Sequence, residues 1–184
     1  MVAHDEEQDW IARSRKGDHE AFEALVRRYQ RMIHALAFRM TGSSSDAEDV
    51  AQETFIAAFH ELDGFKGDAR FSSWLYRIAT NRCLNWIKRI ERRAHAYESW
   101  VNENKDASIG NDDEVIAHAV QGALMKLDPQ QRSALVLTAY ENLSHAEAAM
   151  ILGCAETTVS WRVFTARRKL KRWLTPLVKG GRVD

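Results

Sequence analysis

Arg77, Asn81, Asn85, Lys88 and Arg92 recur at three- and four-residue steps through the stretch Phe71 to Arg93, FSSWLYRIATNRCLNWIKRIERR. At about 100° per residue they fall within about 80° of one another on a helix, and Trp74 lies inside the same arc. Guanidinium and ammonium groups neutralise phosphates, side-chain amides pair with base edges, and an indole stacks on an unpaired base. A face carrying all three suits nucleic acid. A solvated basic face with one rim tryptophan has the same pattern, and this helix alone leaves both readings open. Its other side carries Phe71, Leu75, Ile78, Ala79, Cys83, Trp86 and Ile90, the period of one buried helix face.

Such a helix needs a body to hold it. The 184 residues are 45% hydrophobic, which suffices for one ordinary domain or two small ones with modest cores. No run is long and apolar enough to cross a bilayer, and the acidic start MVAHDEEQDW is unlike a secretory signal. The expectation is a soluble, cytoplasmic protein with no direct membrane insertion. Cys83 and Cys154 each fall in an apolar helical pattern, without a CxxC pair or clustered histidines, and read as reduced core thiols. No metal or cofactor is implied.

The formal net charge is +0, but its distribution is uneven. Arg70 to Arg93 holds seven basic residues against Glu91 alone, and Glu156 to Trp173 holds six against Glu156 alone. Between them, Glu98 to Glu114 holds six acids against Lys105. Two basic platforms therefore flank an acidic connector.

Around these platforms the local signals are all helical. Asp18 is a plausible N-cap for a helix whose Phe22, Leu25, Val26, Tyr29, Ile33, Leu36 and Ala37 face inward, and Gly42 ends it. Ser45 to Glu48 has the capping-box pattern and opens a helix through about Leu62. Ala47, Ala51, Phe55, Ala58, Phe59 and Leu62 face inward on it. Outward lie Asp49, Gln52, Glu53, Ile56 and His60, either a solvated surface or a protein docking face. Asp63 to Ser73 contains two glycines and forms a loop before the basic helix, which fades by about His95. Asn102 to Asp113 is polar and acidic and reads as a flexible linker.

Beyond the linker, a helix over Glu114 to Leu127 precedes Asp128-Pro129, an N-cap followed by proline at the first helical position, and the next helix runs to Tyr140. Ser144 to Glu147 is a second capping box, opening a short helix that stops at Gly153. Glu156 to Leu174 is the last long helix, with Pro176 and Gly180-Gly181 after it. No alternating strand-like run occurs. The chain is expected to be all-α in two lobes, residues 1–97 and 114–184, joined by a linker at 98–113.

Residues 144–169 fit a helix-turn-helix, with small Ala149 where two helices touch, Gly153 at the turn and Val159 behind the second helix. With Val163, Ala166 and Leu170 on the buried side, Thr157, Trp161, Phe164 and Arg168 point outward, where a major groove would accept them beside Arg167 and Lys169. Outward Trp161 and Phe164 have three possible partners: thymine methyls, another protein, or the first lobe.

Taken together, the two lobes resemble the extracytoplasmic-function group of bacterial RNA polymerase sigma factors. The resemblance runs from Asp18 to Leu170. It is carried by Asp18-His-Glu-Ala-Phe22 with Leu25 and Tyr29, Asp46 to Phe55, Phe71 to Ala79 with Asn81, Leu127 to Arg132, Leu143 to Glu147, Leu152-Gly153, and Thr158-Val159 with Arg162. It implies a sigma-two lobe and a sigma-four lobe, and an initiation factor rather than an enzyme.

Asp46, Asp49, Gln52, Glu53 and Ile56 would then meet the clamp helices of the polymerase largest subunit, with the flap as a further polymerase contact. Phe65, Lys66, Gly67 and Phe71 match a loop that captures a flipped base of the −10 promoter element. Trp74, Arg77 and Asn81 match positions near the same strand, and Asn85, Lys88 and Arg92 continue that face. Thr157, Thr158, Ser160, Trp161, Arg162, Phe164, Arg167 and Arg168 fall in the helix-turn-helix that reads the −35 element. Ala148 stands where isoleucine is common, and Thr157, Ser160 and Trp161 where glycine, lysine and serine are frequent, so the −35 preference is not given by the resemblance. An anti-sigma protein is implied as a partner, often one tethered at the membrane. Two other classes compete. A standalone helix-turn-helix repressor would need a dimer seam, and a nuclease would need the Asp46, Glu48, Asp49 and Glu53 group to converge on metal.

Overall fold

The structure, a computed structural model, describes residues 2–97 and 112–180. Among them there are eight α-helices and no strand: α1 (Val2–Ser14), α2 (His19–Thr41), α3 (Ser44–Glu61), α4 (Phe71–Tyr97), α5 (Asp112–Met125), α6 (Pro129–Leu135), α7 (His145–Leu152) and α8 (Glu156–Gly180). The proposed linker falls almost wholly outside the described residues.

Local chemistry sets most of the boundaries. The Asp18 carboxylate accepts from the Ala21 amide at 3.1 Å and opens α2, satisfying one of the amides that every helix start leaves without a partner. Gly42 ends α2 at φ +80°, and a Cβ there would lie 2.6 Å from the Met125 sulfur, so the left-handed turn and the close approach both call for glycine. Asp128 accepts from the amides of Gln130 and Gln131 ahead of Pro129. Ser144 and Glu147 form both arms of a capping box, and Gly153 closes α7 at φ +61°.

The first lobe is α1 to α4. Leu25, Ile33, Leu36 and Met40 of α2, Val50 and Thr54 of α3, and Phe71 and Leu75 of α4 are fully buried together, and each large apolar side chain so buried contributes about 1.5–3 kcal/mol. The Cys83 thiol is buried in this core, and burial pushes its pKa up to about 12, which leaves it an inert packing group. Thr80 is also buried, and its hydroxyl has no hydrogen-bond partner.

Several boundaries differ from the sequence expectation. α1 is an additional helix, with Ile11, Glu7 and Ser14 buried and Trp10 partly so. Packing on α2 and a hydrogen bond from the Tyr29 hydroxyl to Glu7 hold it where its own periodicity is too weak to announce it. Ser43 caps α3, not Ser45, because it has the extended backbone that lets its hydroxyl reach the Asp46 amide. At the far end of α4, Ile87 is buried and Ile90 is 39% exposed, since the core stops one turn earlier than the sequence pattern does. Cys154 lies half-buried in the turn after α7 and not on a helix face. Helix α8 continues through Pro176, which has no amide to bond the Arg172 carbonyl one turn earlier.

The second lobe packs directly on the first. Helix α6 widens into a π-helical turn over Val136–Tyr140, where the Glu141 amide bonds the Val136 carbonyl at 3.2 Å. This turn delivers Glu141 to the first lobe, where its carboxylate accepts from the Tyr76 hydroxyl and pairs with Arg39 at 3.4 Å. Arg39 also lies 4.5 Å over the Tyr140 ring, and Gln121 donates to the Phe38 carbonyl at 2.9 Å.

Arg132 is 6% exposed, and its guanidinium serves both lobes. It donates to the carbonyls of Leu124 (2.9 Å), Met125 (2.8 Å) and Leu127 (3.1 Å) at the end of α5, and to Met40 at the end of α2. Arg132→Ala strands these buried carbonyls, and the expected loss is roughly 2–4 kcal/mol in urea unfolding. Arg132→Lys should lie between the two, because one ammonium cannot reach four divergent acceptors. Equal stability of all three proteins would show that the fork carries no weight.

Candidate polymerase and promoter interfaces

Three surfaces carry the residues picked out by the sequence. On α3, Asp49, Gln52, Glu53 and Ile56 are all exposed, Ile56 at 53%, because Ala47, Val50, Ala51, Thr54 and Ala58 take the inner side of the same helix. Asp46 is half-buried at the start of the helix and its amide is held by Ser43. Beside this face an open cleft of about 870 Å³ runs between α2 and α3, with Phe22, Val26, Phe55 and Phe59 among its lining and His19, His34 and His60 at its sides. The sequence reading had Phe22 and Val26 as ordinary core. Their excess over the width of a single buried stripe is the signal that an extra apolar surface exists.

The second surface is the loop before α4 and the outer face of α4. Phe65, Phe71 and Trp74 pack as three mutually contacting rings with centroids 5.3 to 5.4 Å apart. Phe65 and Phe71 are 4% and 2% exposed, so they lie beneath the loop, and Lys66 and Gly67 form its exposed crest. Trp74 is half-buried at the edge of this cluster, closer to the core than its helical angle alone suggests. Arg15, in the turn after α1, clamps the loop, donating to the Leu62 carbonyl at 3.4 Å and to that of Phe65. Arg77, Asn81, Asn85, Lys88 and Arg92 are all exposed. Trp74, Arg77, Asn81 and Asn85 line one groove of about 500 Å³ with Arg82 and Glu61. The structure thus brings together the cation, the amides and the indole that the helical wheel placed on one side.

The third surface is the helix-turn-helix. Packing of Val159, Val163 and Ala166, at 0%, 3% and 0% exposure, fixes the rotation of α8. Thr157, Trp161, Phe164, Arg167 and Arg168 are consequently exposed, with Trp161 at 61% and Phe164 at 65%. Neither aromatic is taken up by the first lobe. Thr158, Ser160 and Arg162 are half-buried. The Ser160 hydroxyl is engaged by His145 Nδ1 at 2.8 Å and by the Glu156 carbonyl at 3.1 Å, which ties α8 to α7. Arg162 donates to the Cys154 sulfur at 3.6 Å, and Lys169 to Gln131 at 3.0 Å. These side chains brace the module from inside, and the remaining five form its outer face.

The second surface borders α7, the first helix of the helix-turn-helix. Helix α7 packs against α4, and Glu147, Met150 and Ile151 close one side of a cleft of about 540 Å³ whose other side is Phe65, Lys66, Gly67, Trp74 and Arg77. The Glu147 carboxyl is held below its ordinary pKa first by the Ser144 amide and hydroxyl, with the Arg70 charge across the cleft adding to the effect.

Among the described residues no three His, Cys, Asp or Glu side chains converge to hold a metal, and no helix is long and apolar enough to cross a membrane. Comparison with known proteins agrees with the two-lobe geometry. The Sigma-70 region 2 family matches residues 25–93, and the Sigma-70 region 4 family matches residues 117–170. The chain is 32% identical to the RNA polymerase sigma-H factor of Pseudomonas aeruginosa, over 97% of this chain and 99% of that one. It is 34% identical to the ECF RNA polymerase sigma-E factor of Escherichia coli K12, over 94% and 96%. Among solved structures it resembles RpoE of Bartonella quintana in complex with the anti-sigma factor NepR (TM-score 0.72, 25% identity, 84% of this chain and 96% of that one). It also resembles CnrH in complex with the cytosolic domain of CnrY (TM-score 0.71, 29% identity, 93% and 98%). With both sigma regions present in order and relatives matched end to end, the chain belongs to the extracytoplasmic-function group of bacterial RNA polymerase sigma factors.

Proposed function

We propose that the three surfaces divide the work of promoter-specific initiation. Residues 1–97 form a unit that docks on core polymerase through Asp46, Asp49, Gln52, Glu53 and Ile56 and handles the −10 element through the 65–71 loop and the outer face of α4. Residues 114–184 read the −35 element through α8, and residues 98–113 connect the two. The clamp helices of the largest subunit take the α3 face, and the flap takes the second lobe. No covalent chemistry is assigned to any residue.

The observation that carries this reading is the direct packing of α7 on α4. Elements at −10 and −35 lie about 25 base pairs apart, roughly 85 Å of duplex at 3.4 Å per pair. A compact chain of this length measures roughly 40 Å across, so lobes packed on one another cannot reach both at once. The packed arrangement is therefore a closed form, and a larger enzyme must hold the lobes apart for both faces to engage one promoter. Once it does, the second contact becomes intramolecular and gains from high effective concentration. Free in solution, each small basic face neutralises few phosphates, and DNA binding is weak.

The polar contacts between the lobes suit such a change. Arg39, Glu141 and Tyr76 all regain water when the lobes part, which offsets part of what their contacts contribute. Control by an anti-sigma protein is supported by the similar solved structure of RpoE, which is a complex with the anti-sigma factor NepR. A cytoplasmic location follows for a factor that must reach polymerase and DNA.

Runoff transcription with core polymerase on a genomic promoter library tests the proposal as a whole, and promoter-specific transcripts are expected. The double variant Asp49→Ala with Gln52→Ala should weaken competition for core enzyme about tenfold; unchanged competition would remove the docking assignment. Trp74→Ala with Asn81→Ala should leave core binding intact but reduce promoter opening roughly tenfold or more, through lost stacking and base contacts. Permanganate footprinting reads the opened bases, and undiminished reactivity in that variant contradicts the −10 role.

A further inference from the structure

The outer face of α8 is unusual for a helix that enters a groove: at its centre are two large aromatic rings, Trp161 and Phe164, at 61% and 65% exposure. Neither can turn inward, because Val159, Val163 and Ala166 already fill the other side of the helix. They are three residues apart, an axial rise of about 4.5 Å, close to the 3.4 Å step between base pairs. Exposed Thr157 lies one turn before them and exposed Arg168 one turn after.

Charge decides what kind of surface they face. Beyond Glu156, α8 contains no acid, and Arg167, Arg168, Lys171 and Arg172 are all exposed along it. The occupant is therefore anionic at the rim and apolar at the centre. In the major groove, phosphates supply the first and the thymine C5-methyl is the one apolar group any base presents there. Phenylalanine or tryptophan has no acceptor for a base donor, and the indole N–H is a single donor, so hydrogen-bond readout at these two positions is poor.

We propose that Trp161 and Phe164 are specificity-determining residues that read thymine methyl groups on neighbouring base pairs, giving this chain a −35 preference set by apolar contact at two positions. The inference rests on the assignment of α8 to the −35 element. Each methyl buried against a ring should be worth about fourfold in occupancy.

The test uses core polymerase reconstituted with the full chain and a template library randomised across the −35 segment. Thymine should be enriched at two neighbouring positions. Replacing those thymines by deoxyuridine, which lacks only the methyl, should reduce transcription about fourfold at each site. Trp161→Ala and Phe164→Ala should each lose the enrichment at one position and become insensitive to deoxyuridine there. Because both side chains are exposed, the variants should unfold at the wild-type urea midpoint. Transcription that is indifferent to deoxyuridine overturns methyl reading and leaves the sigma-factor assignment standing. Variants that transcribe with the wild-type base preference also overturn it, and assign the two rings to a protein partner. Absence of promoter-specific transcription by the wild-type chain on every template overturns the −35 assignment and this inference with it.

Discussion

A single buried guanidinium sits where the two lobes meet, and much of the architecture is arranged around it. Helix ends leave carbonyls without partners, and a protein that brings two such ends together inside its own core must supply donors for all of them. Arg132 does this for the end of α5 and for Met40 at the end of α2. Its positive charge also faces the negative ends of two helix dipoles. Lysine would offer the charge but not the planar fork. The result is that α5 and α6 are locked to each other and to the first lobe by one residue.

That joint sets the position of everything after it. With α6 fixed, the π-helical turn at Val136–Tyr140 carries Glu141 to Tyr76 and Arg39, and α7 follows onto α4. The first helix of the module that would read one promoter element thereby lies against the loop that would handle the other, while the outer face of α8 stays exposed. Arg132 and Tyr76 are buried at this seam and Glu141 nearly so, and the buried apolar residues of the two lobes form one continuous cluster across it. A larger partner that separated the lobes would have to supply interactions that outweigh these contacts.

Within the first lobe, the same economy of contacts shapes the loop ahead of α4. Three aromatic rings pack on one another beneath it, and Arg15 in the turn after α1 holds its carbonyls. Burying Phe65 and Phe71 leaves a firm floor and a short exposed crest, with the half-buried Trp74 edge as the accessible aromatic. In the helix-turn-helix the arrangement is reversed: small and branched Ala149, Val159, Val163 and Ala166 are inside, and the rings of Trp161 and Phe164 are outside, where they can only meet something that comes to the helix.

Helical class, most boundaries and the membership of each face were legible in the residues themselves, because caps, glycine stops and the 3.6-residue period are local properties. Asp18, Asp128 and the Ser144–Glu147 box act on amides two or three positions away, and the outward set Arg77, Asn81, Asn85, Lys88 and Arg92 needs only a helix to be aligned. The sequence could also propose that Trp161 and Phe164 point outward, since Val159 and Val163 claim the other side. Distant packing decided the rest. Whether α1 forms depends on a surface that α2 provides; whether Phe65 is crest or floor depends on Phe71 and Trp74; whether Arg132 is a surface cation or a buried clasp depends on where the end of α2 arrives. These are contacts between residues tens of positions apart, and no period or cap encodes them, because their energy exists only once both partners have been brought to the same place.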